Sequence, residues 1–187
     1  MSGPLLCDIW FPHKPRGKGR QDFSVRPRQK NAGVAIGGVT YYPLKALTAM
    51  PRPAKTKEYE AELRLNIIQQ MRKQGHFTAY DGPVELRFCA FYGVNASDTK
   101  KVAAAKVAGS IARMATPDVD NIEKLICDAA NTYVFLDDKQ IIASTGYKAN
   151  SAHEGIRIKF YKADPLEIKA RLDEEFKFSQ PEFLLNG

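Results

Sequence analysis

The chain has 187 residues, 44% of them hydrophobic and 26% charged, the proportions of one ordinary globular domain. This composition excludes a disordered tail, a collagen-like repeat and a coiled coil, and no run of eighteen apolar residues is present to cross a membrane. The net charge is +7, and all of it lies in the first sixty residues, with 11 basic against 4 acidic groups there and 17 of each afterwards. Lys14, Arg16, Lys18, Arg20, Arg26, Arg28 and Lys30 face only Asp22 within their stretch. Such a segment cannot neutralise itself and attracts a polyanion, of which nucleic acid phosphate is the commonest inside a cell. A solvated loop kept for solubility is the competing reading.

Two further classes fall away. Cys7, Cys89 and Cys127 are odd in number and widely spaced, which fits neither a disulfide framework nor a zinc site. Buried, reduced thiols in a cytosolic protein are the expectation. His13, His76 and His153 show no ligand spacing. Leu5–Phe11 is apolar but short, is broken by Asp8, and has its positive charge after it, so it does not read as a signal peptide.

In chain order, Leu5–Phe11 reads as a strand, 12–31 as a Gly/Pro/basic loop, 34–42 as a glycine-interrupted strand and 43–54 as a proline-rich connection. A helix is predicted over 57–74. Tyr59, Leu63, Ile67 and Met71 recur at every fourth position and Gly75 is placed to end it. Val84, Leu86, Phe88 and Ala90 alternate as one apolar face of a strand. Residues 98–114 read as a helix. Residues 121–134 read as a strongly amphipathic one, with Ile122, Leu125, Ile126, Ala129, Ala130 and Tyr133 on a stripe. Residues 140–148 and 155–162 read as strands, taken as an antiparallel pair. A last helix begins at Asp164-Pro165, where Asp caps and Pro takes the first position. The order suggests an α+β domain with helices packed on a mixed β-sheet.

The chemistry concentrates in Pro117-Asp118-Val-Asp120-Asn-Ile-Glu-Lys124, with Asp128, Asp137 and Asp138 following. On an extended segment Asp118 and Asp120 point the same way just before a helix. Asp120 with Glu123 also fits a capping box, the bland explanation of that carboxylate. Lys124 is one helical turn beyond Asp120. Of Asp137 and Asp138, adjacent on an extended chain, only one can easily join the same cluster. If the chain turns back after the helix, three carboxylates can bind a hard divalent cation through oxygen. Other motifs fail: the region lacks the glycine and glutamate of an EF-hand, Gly17-Lys18-Gly19-Arg20 is not a Walker A loop, and no nucleophile elbow is present. An Asp-x-Asp sugar-nucleotide transferase is a rival of another class, but it leaves the basic arm unexplained.

The same residues, Pro117 to Asn131 followed by Asp137-Asp138-Lys139-Gln140-Ile141, resemble the signature of RusA-type Holliday junction resolvases, phage-associated endodeoxyribonucleases. Gly17-Lys18-Gly19-Arg20 with Phe23, Tyr42-Pro43, Lys55-Thr56-Lys57-Glu58-Tyr59-Glu60 and Gly155-Ile-Arg-Ile extend the likeness over residues 5–162. It implies a RusA-like, homodimeric fold over 1–163, with 12–31 as a DNA-binding loop; 43–54, an insertion-like loop, departs from it, and 164–187, read as a C-terminal helix and tail, has no counterpart in it. It implies that Asp118, Asp120 and Asp138 bind Mg²⁺, with Mn²⁺ the alternative, and that Lys124 assists catalysis. Lys14, Arg16, Lys18 and Arg20 are the expected phosphate contacts. The implied activity is paired, symmetric nicking of four-way junctions in DNA recombination and repair, in the cytoplasm of a bacterial or phage-infected cell. A catalytically silent junction-binding module of the same fold is the alternative. Gln21-Asp22 departs from the family's loop, where Pro-Arg is expected.

Overall fold

In the structure, a computed structural model, residues 3–18, 26–27, 34–36, 39–41, 47–48 and 54–176 are described, with backbone alone between 19 and 55. The elements are β1 (Leu5–Phe11), β2 (Arg26–Pro27), β3 (Val34–Ile36), β4 (Val39–Tyr41), β5 (Leu47–Thr48), α1 (Ala54–Lys73), β6 (Val84–Gly93), α2 (Lys100–Val107), α3 (Val119–Ala130), a 3-10 turn (Asp138–Gln140), β7 (Ile141–Ser151), β8 (Gly155–Lys162) and α4 (Pro165–Phe176). Four strands form a mixed sheet in the order β1-β8-β6-β7. The chain is a single α+β domain.

The apolar alternation read from the sequence is the inner face of this sheet. Val84, Leu86, Phe88, Ala90 and Tyr92 of β6 and Ile156, Ile158 and Phe160 of β8 are buried. Tyr59, Leu63, Ile67 and Met71 of α1 and Ile122, Leu125, Ile126, Ala129 and Ala130 of α3 complete the same core. A core leucine or isoleucine of this kind, cut to alanine, costs about 2–5 kcal/mol. The outer face carries the intervening residues, among them Trp10, Arg87, Phe91, Tyr147, Arg157 and Lys159, which border shallow clefts.

The expected 140–148/155–162 hairpin is not formed. β7 runs parallel to β6 and β8 antiparallel to it, so β6 lies between them. Ser151 pairs beside Gly93 and Gly155 beside Phe91, so the chain from β7 to β8 crosses the end of β6. Glu154 in that crossing accepts the Gly93 N–H at 3.2 Å. The insertion pairs both edges of the strand with the most apolar inner face, which a β7–β8 hairpin would leave half open. A parallel β6–β7 pair also requires a long crossover, and residues 94–140 supply it, bringing α3 back across the sheet.

β1 is an edge strand whose outward backbone groups at Asp8 and Trp10 are satisfied from the end of α1 and the residue after it. Gln70 accepts the Trp10 N–H at 3.0 Å and donates to its carbonyl at 2.6 Å, and Gln74 does the same for Asp8 at 3.0 and 2.7 Å. These amides blunt an edge that could otherwise recruit another strand.

Several boundaries differ from the sequence reading. The 34–42 strand is a hairpin, with β3 paired antiparallel to β4, separate from the main sheet. α2 is shorter than 98–114 because Thr99 caps it at Val102 and Gly109 turns the chain at φ +81, where glycine is at ease. α3 stops at Ala130, and Thr132 takes φ +69, so Tyr133 leaves the apolar stripe and is exposed while Val134 and Phe135 are buried instead. α4 begins as read, with Asp164 accepting the Leu166 N–H at 2.9 Å.

Candidate active site

The chain reaches α3 through Pro117 and an extended Asp118, the N-cap residue (φ −72, ψ 154), whose side chain makes no capping hydrogen bond. The capping box expected of Asp120 and Glu123 is therefore absent, because the helix starts one residue after Asp118. Asp120 sits in the first turn and pairs with Lys124 at 3.2 Å, both side chains more than 60% exposed. The Lys124 hydrogen bond holds the Asp120 carboxyl below its usual range.

After α3 the chain does turn back. Gln140 accepts the N–H groups of Leu136 and Asp137 at 2.7 and 2.9 Å and donates to the carbonyls of Tyr80 and Gly82 at 3.2 and 2.8 Å. Asp137 completes a capping box with Gln140 and accepts the Lys139 N–H at 3.0 Å. Asp137 is thus a cap, whereas its neighbour Asp138 borders a cleft of about 460 Å³ together with Lys18, Asp120, Glu123, Lys124, Cys127, Asp128, Lys139 and Ile141. The cleft runs along α3. The charges bearing on Cys127 are those of Glu123, Asp138 and Asp128, and Cys127 stands seven residues beyond Asp120, about 10 Å of helix rise. Asp120 and Asp138 border the same cleft, and Asp118 is not among its lining residues. Among the described residues no three acids, cysteines or histidines are close enough together to share a metal ion. The donor type nonetheless suits a hard divalent cation: exposed carboxylate oxygens, with the one thiol in the cleft pushed up to about 12 by burial and held in its neutral form. Of the other cysteines Cys7 is buried, also pushed up to about 12, and Cys89 is half-buried, so only one of the three fits the buried reading fully.

The basic segment lies against this helix. Tyr59 donates its hydroxyl to the Lys14 carbonyl at 3.1 Å, and the Arg16 guanidinium lies over the Tyr59 ring, 5.5 Å from its centroid. Lys14 and Arg16 are exposed, beside a cleft they share with His13, Glu58 and Glu62. Lys18 pairs with Asp128. Arg20 lies outside the described residues, as do the Gln21-Asp22 departure and most of the 43–54 connection.

Sequence reasoning missed Lys148 on β7, which donates to the carbonyls of Ala115 and Pro117 at 2.9 and 3.1 Å and so holds the chain leading into Asp118. It also missed the bonds of Gln140 to Tyr80 and Gly82. Like those of Lys148, these reach backbone distant in sequence, which no local pattern signals.

A family model described as Endodeoxyribonuclease RusA matches residues 12–161. The chain belongs to the RusA endodeoxyribonuclease family. Membership implies endonuclease action on DNA of the Holliday junction resolving kind. The match spans the basic segment, α3 and Asp138, which border the cleft, and nearly all of β8. A comparison with curated proteins finds no match to the chain. Among the described residues no helix is long and apolar enough to cross a membrane.

Proposed function

We propose that this RusA-family protein is a Mg²⁺-dependent, structure-selective endonuclease that resolves four-way DNA junctions by paired nicks. The observation that carries the reading is the cleft along α3, where Asp120, Lys124 and Asp138 stand beside a docked basic segment. Carboxylates bordering one cleft, near the exposed Lys14 and Arg16, suit a phosphodiester.

Asp118, Asp120 and Asp138 are the residues that would hold the cation, and as they stand they would have to draw closer together to share it. When bound, Mg²⁺ supplies Lewis acidity toward a phosphate oxygen and makes a water more acidic. Water attacks phosphorus in line with the departing 3′ oxygen, leaving a 5′ phosphate. Lys124, exposed and on a flexible stem, donates to the phosphate oxygens as they gain charge. Lys14, Arg16 and Arg20 neutralise phosphates of the DNA arms, and Lys18 holds their segment on the helix. The enzyme acts as a homodimer, since two matching nicks in a near-two-fold junction call for two sites related by a two-fold axis. It works in the cytoplasm, where its DNA lies.

The test is a synthetic four-way junction incubated with and without Mg²⁺, both nicks being mapped. Symmetric nicks only with the metal are expected, and Asp120→Asn should bind the junction and cut none of it. Binding without cleavage by the unaltered protein would replace this reading with the silent junction-binding module.

A further inference from the structure

Lys18 is expected from its sequence to be one more phosphate contact in a basic loop. Its surroundings differ from those of Lys14 and Arg16. The Lys18 backbone N–H donates to the Asn121 carbonyl at 2.8 Å. Its ammonium pairs with the Asp128 carboxylate, both side chains less than 30% exposed. Gly17 lies so close to α3 that a Cβ there would stand 2.7 Å from the Pro117 Cβ and 2.9 Å from the Asn121 Cβ. The backbone of Asp128 is itself held, its carbonyl accepting from Arg64 of α1 at 3.3 Å. The segment is thus fastened to α3 at Asn121 and Asp128, about 10 Å apart along the helix, and the span between them contains Lys124.

We propose that Asp128 and Gly17 are positioning residues: they latch the basic segment to α3 through Lys18, so that DNA held by Lys14 and Arg16 is kept in register with Asp120 and Lys124. The inference rests on the proposed junction cleavage for its consequence, but the latch itself has a separate readout. A cation paired with a carboxylate in a partly buried place is costly to strip and serves better as a fastening than as a phosphate contact. The small Cα surface of Gly17 is what allows the approach. Asp128 touches no reacting atom in this scheme, so its loss should slow cleavage of bound DNA more than it weakens binding.

Three variants of the full chain test it: Asp128→Asn, Gly17→Ala, and the exchange Lys18→Asp with Asp128→Lys. Amide hydrogen exchange at position 18, junction affinity and single-turnover nicking in Mg²⁺ are measured for each. Asp128→Asn and Gly17→Ala, which disturb the contact from opposite sides, should each speed Lys18 exchange and slow nicking about tenfold, with affinity changed less than about threefold. The exchanged pair should regain both protection and rate, which a general loss of stability would not allow. Lys18 exchange unchanged in Asp128→Asn, or an exchanged pair no better than Asp128→Asn alone, overturns the latch. If the unaltered protein nicks no junction while Lys18 exchange responds as stated, the cleavage reading has failed and the latch has not.

Discussion

The Lys148 ammonium lies 3.1 Å from the Pro117 carbonyl oxygen, joining β7 to the residue before Asp118 across thirty-one positions of sequence. With its second bond to Ala115 it orders the backbone from which the first carboxylate projects. Lys148→Met keeps the stem and removes both bonds. The loss should cost about 1–3 kcal/mol of stability, measured by urea unfolding, and slow single-turnover nicking at least about tenfold. A variant as active as the parent would show that the chain leading to Asp118 needs no such brace.

Asp120 and Lys124 predict a pH response. Because Lys124 holds the Asp120 carboxyl below the ordinary value of 3.8, Asp120 remains charged throughout the neutral range. A folded-state value depressed in this way means that the pair's contribution is complete above the unfolded carboxylate range and is lost as pH falls through the folded value. Lys124→Met should move the Asp120 titration upward toward 3.8, followed by carboxyl-carbon NMR. Both side chains are largely exposed, so the melting temperature should hardly change while nicking is lost. An unmoved titration would mean that the ion pair is not held in solution.

Gln140 is a four-bonded junction between the 3-10 turn and the Tyr80–Gly82 strap. Gln140→Leu leaves two backbone N–H groups and two carbonyls without these partners and should cost about 2–4 kcal/mol in chemical denaturation. Asp138, two residues away, loses its placement as well, so nicking should fall further than stability alone explains. Retained activity with lowered stability would separate the turn from the site.

Lys14 and Arg16 sit exposed beside one cleft, whereas Lys18 is already paired. Replacing Lys14 and Arg16 together by alanine should weaken junction binding and reduce the slope of log affinity against log salt by about 2. Lys18→Ala should change that slope by less than half as much as the double variant. Equal effects per residue would return Lys18 to the phosphate contacts.

The elements legible in the sequence are those set by local period. The fourfold spacing of Tyr59, Leu63, Ile67 and Met71 becomes the buried side of α1, and the twofold spacing of Val84 to Ala90 the inner face of β6. The carboxylates at Asp118 and Asp120 were visible for the same reason: neighbours on a chain share a local geometry. The basic excess of the first sixty residues is a property of composition and needs no fold. What only the tertiary structure decided lies where backbone groups or charges far apart must find partners. The unpaired edges of β6 drew β7 and β8 to its two sides in place of a hairpin. The Gln140 bonds to Tyr80 and Gly82 anchor the turn in which Asp137 caps and Asp138 reaches the cleft, although the two are adjacent and chemically identical. Lys18 met Asp128 across 110 positions. No spacing rule reaches that far, because such pairings follow from the cost of leaving a polar group unsatisfied in the folded chain as a whole.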